Sequence, residues 1–228
     1  MKYASGIATQ KRIMEVCKRL FYEKGIEETT YVDICAAAEV HPGTLTHHFR
    51  EKANIASEIY LNASHTLSLE IAGMFTGEDQ AQRMLLEIYI PLYVMYHDDA
   101  YARFYVEYLA LDIHGGIYMK CLPGILQDIS GHAPGEDPAD MERMEFRAVA
   151  YRGMQAAMSY YIHTHQKNIP VETAFGYWAR FFLLLQEIQG RDADTRIRRA
   201  LAQVRDLDIS WDGLYAHARR RSTEPSPL

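Results

Sequence analysis

Residues 42–52 read Pro-Gly-Thr-Leu-Thr-His-His-Phe-Arg-Glu-Lys, and this stretch decides the fold of the chain. Leu45 and Phe49 lie four residues apart and therefore share one face of a short helix. Pro42 can occupy the first helical position, where its missing N–H costs nothing. The stretch predicts a short helix over 42–48 that is anchored by two apolar side chains and turns threonines and histidines outward.

Two helical segments precede this stretch. Residues 9–24 carry apolar residues at the spacing of one helical face: Ile13, Val16, Cys17, Leu20 and Phe21. Gly25 follows, and glycine just past a helix end supplies a left-handed cap. Thr30 and Asp33 have the spacing of a capping box. A second helix is therefore predicted over about 30–38, and residues 39–43 form the turn before the third.

Three helices in this order can contact DNA. A short helix with small polar residues at its N-terminal end can enter the major groove. Its opening amides lie at the positive end of the helix dipole, which favours a phosphate. Lys52 begins the next helix and can contact a phosphate as a point charge. We therefore expect the N-terminal part of the chain to bind double-stranded DNA.

This series of residues resembles the DNA-binding domain of the tetracycline-repressor (TetR) family of transcriptional regulators. The most specific part is the pattern Gly-Thr-Leu-x-x-His-Phe-x-x-Lys at 43–52. The chain departs from the family pattern at Thr46, commonly Tyr, at Glu39, commonly Gly, and at His41, commonly Ser or Thr. Base readout is therefore expected to use few side chains and to depend on DNA shape.

The resemblance also implies which residues contact DNA. Carried over to this sequence, they are Thr30, Pro42, Gly43, Thr44, Thr46, His47, His48 and Lys52. We expect Thr30, His48 and Lys52 to contact phosphates, which position the domain. Thr44, Thr46 and His47 are the candidates for base edges, which specify the sequence. The family's usual arrangement is a repressor that an effector releases from its operator.

The remainder of the chain predicts helices and no convincing strand, so the predicted fold class is all-α. The predicted ranges are about 52–75, 80–97, 99–113, 116–130, 139–167, 170–189 and 192–206. Pro91 should kink or split the helix that contains it. We predict a three-helix DNA-binding domain over 1–52, a larger helical effector-binding and dimerisation domain over 53–221, and a disordered tail over 222–228.

A homodimer is expected, because one such domain makes too few contacts for tight binding and a symmetric pair reads the two halves of a palindromic operator. The predicted helix over 139–167 carries an apolar stripe. The predicted helix over 170–189 is apolar almost all round, so it must be covered on two sides. The predicted interface consists of Ala148, Tyr151, Gln155, Met158, Ile162, Trp178, Phe181, Phe182 and Leu185. The alternative is a central helix buried within a monomer.

Aromatic residues are dense between about 89 and 118. Small-molecule pockets are mostly apolar with a few polar groups, and tyrosine supplies a flat apolar body and a hydroxyl. We predict a site for a small hydrophobic or aromatic effector, lined by Tyr89, Tyr93, Tyr96, Tyr101, Tyr105, Tyr108, Asp112, His114, Met119, Tyr151, Met154 and Met158. Tyrosine faces could also accept a cation. The simpler interpretation is that the aromatic stripe is plain core.

Composition bears on three other classes of protein: non-specific nucleic-acid binders, disulfide or zinc proteins, and membrane or secreted proteins. The formal net charge is −6, which argues against broad, non-specific affinity for nucleic acid. Three scattered cysteines without CxxC spacing predict neither a disulfide scaffold nor a zinc site. No apolar run is long enough for a membrane span and the first residues do not resemble a signal peptide, so a cytoplasmic protein without membrane contact is expected.

The rival classes are an enzyme and a helical protein-interaction or metal-binding protein that does not bind DNA. His97-Asp98-Asp99 and His163-Thr-His165 contain metal-ligating residue types. However, helical neighbours one or two residues apart do not face each other. The sequence also lacks a phosphate-binding loop and a nucleophile motif. We therefore expect no catalysis, no cofactor and no metal.

Overall fold

The computed structural model describes residues 2–111, 138–165 and 168–221. Within these ranges the chain forms nine helices and one two-stranded sheet. They are α1 (Lys2–Lys24), α2 (Tyr31–Ala38), α3 (Pro42–His48), α4 (Lys52–Met74), α5 (Gln80–His97), α6 (Asp99–Leu111), α7 (Pro138–Thr164), α8 (Val171–Leu185), α9 (Gly190–Arg205), β1 (Leu207–Asp212) and β2 (Tyr215–Arg220). The predicted helix over 116–130, the predicted tail over 222–228 and the predicted pocket residues Asp112, His114 and Met119 lie outside the described ranges.

The mostly helical fold is confirmed, with a helix-turn-helix followed by a helical body. The prediction that the chain has no strand was wrong. β1 and β2 form an antiparallel hairpin in which Leu207 lies opposite Arg220. Gly213 lies in its turn with φ of +57°, a conformation that favours glycine. Buried positions alternate along β2, but they are alanines, which favour helix and so hide a strand pattern.

The helix-turn-helix is held by the two predicted anchors of α3. Leu45 is 1% exposed and Phe49 is 4% exposed. Both belong to the same core as Ile34 of α2 and Phe21 of α1. Burial of these side chains fixes the direction in which the polar residues of α3 point.

The capping box at the start of α2 is present. Thr30 Oγ1 accepts from the Asp33 N–H at 3.1 Å, and Asp33 Oδ2 accepts from the Thr30 N–H at 3.0 Å. The hydrogen bond from the Thr30 N–H, then that from the Thr30 hydroxyl, and then the Lys24 ammonium lower the pKa of the Asp33 carboxyl. The box satisfies donors at the N-terminus of a helix that has only eight residues.

The body is arranged around α5, which contacts α4, α6, α8, α9 and both strands. α5 contains Pro91 yet is continuous over its 18 residues. The predicted split at Pro91 therefore does not occur. Proline removes one amide donor, and packing on several sides of α5 supplies the stabilisation that offsets this loss.

The hairpin packs against α4 through contacts that are distant in sequence. Glu70 Oε2 accepts from the Ala218 N–H at 2.9 Å, and Glu70 Oε1 lies 2.8 Å from His217 Nδ1. Arg220 donates to the Met74 carbonyl at 2.8 Å. The hairpin is therefore an integral wall of the body. Across the described ranges, no helix has the length and apolar character to cross a membrane.

Candidate DNA interface and ligand cavity

The outward face of α3 is polar and accessible. Pro42, Gly43, Thr46 and His47 are exposed, while Thr44 and His48 are partly exposed. Thr30 is exposed at the start of α2 within the same three-helix unit. The side chains predicted to contact DNA on α2 and α3 are thus accessible together, as a helix that enters the major groove requires.

Thr46 uses its hydroxyl proton within α3. Its Oγ1 donates to the Pro42 carbonyl at 2.8 Å, with a longer contact to the Gly43 carbonyl at 3.3 Å. The hydroxyl oxygen can still accept a hydrogen bond, and the exposed methyl group can contact a thymine methyl. In this conformation Thr46 is an acceptor or an apolar contact and does not donate to a base.

Lys52 has partners that the sequence did not indicate. Its ammonium donates to the carbonyls of Ile26 and Thr29, each at 2.7 Å, and to that of Glu27 at 3.2 Å. An ammonium has three N–H donors, so all three are used within the chain. The predicted phosphate contact of Lys52 would require the release of one carbonyl. It stays a prediction, while the observed role is to hold the loop between α1 and α2.

Two side chains of α6 hold the same loop. Arg103 donates to two carbonyls in the last turns of α1, at 2.8 and 3.0 Å. Glu107 accepts from the backbone N–H groups of Ile26 and Glu27. Gly25 lies beside them with φ of +93°, and an added Cβ would lie 2.7 Å from Glu107 Oε1. The loop between α1 and α2 is therefore fixed to α6.

A cavity of about 670 Å³ lies within the body. It is bounded by α4 to α8 and by the hairpin, which contributes Leu214 and Ala216. Its aromatic lining residues are Tyr60, Tyr101, Phe104, Tyr105, Tyr151, Trp178 and Phe182. The volume and the apolar, aromatic character of its wall match those of sites for small organic molecules.

Several polar groups in this wall are paired with each other. Gln155 Nε2 donates to the Tyr105 hydroxyl at 2.7 Å, and Trp178 Nε1 donates to the Tyr151 hydroxyl at 3.2 Å. Burial raises the pKa of Tyr101 and Tyr105. These phenols therefore stay neutral at physiological pH and add no negative charge to the cavity.

The structure divides the predicted pocket residues into two groups. Tyr101, Tyr105 and Tyr151 line the cavity. Other predicted residues are not part of its wall: Tyr89, Tyr93, Tyr96, Tyr108, Met154 and Met158. Tyr89 packs on Phe175 of α8 with ring centroids 5.2 Å apart. The tyrosines of α5 lie on the face toward α8, whereas the cavity face of α5 carries Glu87, Ile88 and Pro91.

Asp98 connects three parts of the chain. Its Oδ2 accepts from the Tyr22 hydroxyl at 2.6 Å and from Trp211 Nε1 at 2.7 Å, and its Oδ1 accepts from the Tyr101 N–H at 2.9 Å. Burial alone would raise its pKa, but these hydrogen bonds outweigh burial and lower it. Asp98 thus joins α1, α6 and the hairpin. No group of side chains suited to a metal ion occurs in the described ranges.

The comparisons with known proteins bear on this arrangement. The family model described as "Bacterial regulatory proteins, tetR family" matches residues 13–59, which contain the second half of α1, α2, α3 and the first turns of α4. The helix-turn-helix of this chain belongs to the TetR family. The chain is a transcriptional regulator of this type rather than an enzyme.

Individual TetR-family relatives match over different lengths. The HTH-type transcriptional regulator TtgR of Pseudomonas putida is 26% identical over 165 residues, which cover 63% of this chain and 76% of the relative. The regulator AcrR of Shigella flexneri is 36% identical over 73 residues, which cover 31% and 34%. Among solved structures, FadR of Thermus thermophilus has 18% identity, coverage of 96% and 100%, and a TM-score of 0.37.

Most residues predicted for the dimer interface of this TetR-family regulator face its own interior. The residues that line the cavity instead are Ala148, Tyr151, Gln155, Trp178, Phe182 and Leu185. Ile162 is buried, and Met158 and Phe181 are half-buried. Ala148, Gln155, Trp178 and Phe182 are buried in the same chain and have little surface left for a partner.

A different apolar face of α7 and α8 is exposed. Its large side chains are between 48% and 75% exposed: Phe146, Val149, Tyr160, Tyr161, Tyr177 and Leu184. Gly153 and Ala157 are exposed between them on α7. Sequence reasoning missed this face because both helices are apolar on two sides, and the helical period alone does not say which side is inner.

Thr30→Ala is expected to lower the free energy of unfolding by about 1 kcal/mol, because the TetR-family domain loses the N-cap of α2. Urea unfolding measures the change. Thr46→Ala is the matched control, because the Thr46 hydroxyl only donates within its own helix; its effect should stay within about 0.5 kcal/mol. Equal effects of the two substitutions would contradict the capping role.

Proposed function

We propose that this chain is a ligand-responsive repressor that binds a palindromic operator as a homodimer and is released by a small hydrophobic or aromatic effector. The observation that carries the proposal is the double role of α6. Tyr101, Phe104 and Tyr105 of α6 line the cavity, while Arg103 and Glu107 of the same helix hold the loop that precedes α2. A ligand in the cavity therefore contacts the helix that holds the DNA-binding unit.

The proposed mechanism is a shift between two populations. A ligand weakens DNA binding only if it binds one conformation of the body more tightly than the other. Displacement of the cavity side of α6 would move Arg103 and Glu107, and with them the α1–α2 loop. The two recognition helices of the dimer would then no longer match adjacent major grooves, which lie about 34–36 Å apart.

The proposed DNA contacts follow the accessible face of α2 and α3. Thr30 and His48 are proposed for phosphates, Thr30 after its hydroxyl leaves Asp33 Oδ2, to which it donates at 2.9 Å in the free chain. Thr44, Thr46 and His47 are proposed for base edges. Pro42 and Gly43 allow close approach of the α3 backbone. The proposed boundary between the DNA-binding domain and the body lies at Lys52, where α4 begins.

The exposed apolar face of α7 and α8 supports the homodimer. A contiguous apolar surface of this kind marks an interaction site in a water-exposed protein. A second copy of the chain is the proposed partner, because two half-sites of a palindrome require a two-fold arrangement. The small residues Gly153 and Ala157 allow two α7 helices to approach closely.

Gly153→Glu is expected to raise the dimer dissociation constant at least about a hundredfold, because the carboxylate would be buried between chains. The single chain accommodates the change, since an added Cβ at Gly153 meets nothing within 4 Å. Gly73→Glu on α4 is the matched control, because that glycine is equally open. Sedimentation velocity distinguishes them; a variant at position 153 that remains as dimeric as the control would refute this interface.

Selection of bound sequences from random DNA tests the proposed function directly. Purified ligand-free protein should enrich a palindrome whose half-sites are spaced for adjacent major grooves. The enriched duplex then serves in fluorescence anisotropy, where hydrophobic aromatic molecules should release the protein. Failure to enrich any sequence would contradict operator binding, and enrichment of a site without two-fold symmetry would contradict the dimer.

A further inference from the structure

We infer that the cavity takes a hydrophobic organic cation and that the Glu87 carboxylate is its counter-ion. The inference rests on the proposed effector role and specifies the chemical class of the effector. It depends on three observations: a carboxylate in the cavity wall, the absence of a cationic partner for it among the described residues, and aromatic rings around the remaining wall.

Glu87 lies on the cavity face of α5. It is the one carboxylate among the residues that line the described cavity. Ser68 of α4 donates to Glu87 Oε1 at 2.9 Å. This single hydroxyl orients the carboxyl group but leaves most of its acceptor capacity unused, since a carboxylate can accept about four hydrogen bonds.

The arginines near the cavity are engaged elsewhere, Arg152 among them with Gln155, while His65 of α4 also lines the cavity. Arg147, the one lysine or arginine in the described lining, bonds to the carboxylate of Glu187. Arg83 lies one turn before Glu87 on α5 and donates to the Glu78 carbonyl at 3.1 Å. Glu87 itself forms no ion pair with any residue of the described ranges. The cavity wall therefore holds a negative charge that is expensive to keep without a partner.

Burial is the largest influence on the Glu87 carboxyl. It raises the pKa of this group to about 7, against the opposing effects of the hydrogen bond from Ser68 and the charge of Arg83. A cation within a few ångströms would favour the ionised form and reverse this effect. A neutral ligand would leave the desolvation cost in place, and an anion would add repulsion to it.

The aromatic wall suits the apolar part of such a cation. Tyr60 and Tyr105 lie edge to face with ring centroids 5.7 Å apart, and Tyr151 and Phe182 are arranged similarly at 5.9 Å. The faces of aromatic rings attract cations, more strongly where water is excluded. The Tyr60 ring already faces the buried Arg152, whose Cζ lies 5.9 Å from the ring centroid. The rings of Tyr151 and Phe182 are therefore the ones that add to the attraction of Glu87, while the apolar wall excludes small hydrated cations.

Three aryl probes of different charge test the inference: tetraphenylphosphonium and tetraphenylborate, which have nearly equal shape and opposite charge, and the smaller neutral triphenylphosphine oxide. Isothermal titration calorimetry at pH 8 gives each dissociation constant for the full chain. Tetraphenylphosphonium should bind at least about tenfold more tightly than either of the other probes. Glu87→Gln should weaken its binding about tenfold and change the affinity for the neutral oxide by less than about threefold.

Glu58→Gln is the matched control. The Glu58 carboxyl is also partly buried, but it contacts Gln10 and does not line the cavity. Its substitution should leave tetraphenylphosphonium binding unchanged. Circular dichroism of both variants verifies that they are folded before titration.

The outcomes separate the inference from the proposed function. Equal affinity for the cation and the neutral oxide, or an undiminished affinity of the Glu87→Gln variant for the cation, overturns the cation class while the effector role stands. Tighter binding of tetraphenylborate points to an anion and also overturns it. If the unaltered chain binds none of the three probes, the inference fails, whereas the effector role is decided by the release assay with hydrophobic aromatic molecules.

Discussion

Replacing Lys52 by methionine is expected to lower the free energy of unfolding by about 3 kcal/mol and to weaken DNA binding on every sequence. The reason is the triple contact of its ammonium with the carbonyls of Ile26, Glu27 and Thr29. Methionine keeps the apolar stem but removes all three charge-assisted hydrogen bonds. The loop before α2 would then be held from the α6 side alone.

Urea unfolding and salt-dependent DNA binding together test this role. Lys11→Met is the control, because Lys11 is exposed on α1; its effect on unfolding should stay within about 0.5 kcal/mol. We expect the Lys52 variant to keep the salt dependence of the unaltered chain, because in the unaltered chain the N–H groups of Lys52 donate to carbonyls and not to a phosphate. A dependence flatter by about one ion would instead support the phosphate contact expected from the sequence.

Glu87→Gln is expected to stabilise the ligand-free chain above pH 7 by up to about 3 kcal/mol. The pKa of Glu87 is raised from 4.5 to about 7. Between these values the folded chain binds more protons than the unfolded chain, so stability falls as pH rises. Glutamine stays neutral and removes this decline, and below about pH 4.5 both chains carry a neutral group at position 87.

Thermal unfolding of both chains from pH 4 to pH 8.5 measures the effect as a difference. Other titrating groups, including the histidines, are common to both chains and cancel in the subtraction. The stability difference should be near zero at the acid end, grow through pH 5 to 7 and then level off. A difference that is constant with pH would mean that the Glu87 carboxyl is not desolvated.

The helix-turn-helix could be predicted because its signals are local. Leu45 and Phe49 are one helical turn apart, and the capping residues Thr30 and Asp33 are three residues apart. Each pattern depends only on residues that are close in the sequence, so it predicts one local structure. The structure therefore has the same helices in this part of the chain, apart from an earlier start of α1.

The partner of Lys52 could not be predicted in the same way. Its position at the start of α4 was evident from the sequence, but its three acceptors lie 23 to 26 residues earlier in the chain. Backbone carbonyls leave no mark in an amino-acid sequence. Charge pattern alone could not distinguish a lysine that holds a loop from one that contacts a phosphate.

The sequence could not distinguish the inner face of α7 and α8 from the outer face, for a related reason. Tyr151 and Trp178 belong to one apolar stripe, and Phe146 and Tyr177 belong to another. Both stripes have helical spacing, so periodicity fits either assignment. Only the packing of α6 against α7 and of α5 against α8 decides which stripe lines the cavity.

Neighbouring residues of the β1–β2 hairpin contact different parts of the molecule. In β2, Ala216 lines the cavity, while the ring of the preceding Tyr215 lies 3.9 Å from the ammonium of Lys18 on α1. Successive side chains of a strand point to opposite sides. A shift of one residue in the pairing of β1 and β2 would turn every side chain of the strand to the opposite side. A change of strand register would therefore disturb the wall of the cavity and the contact between α1 and the hairpin at the same time.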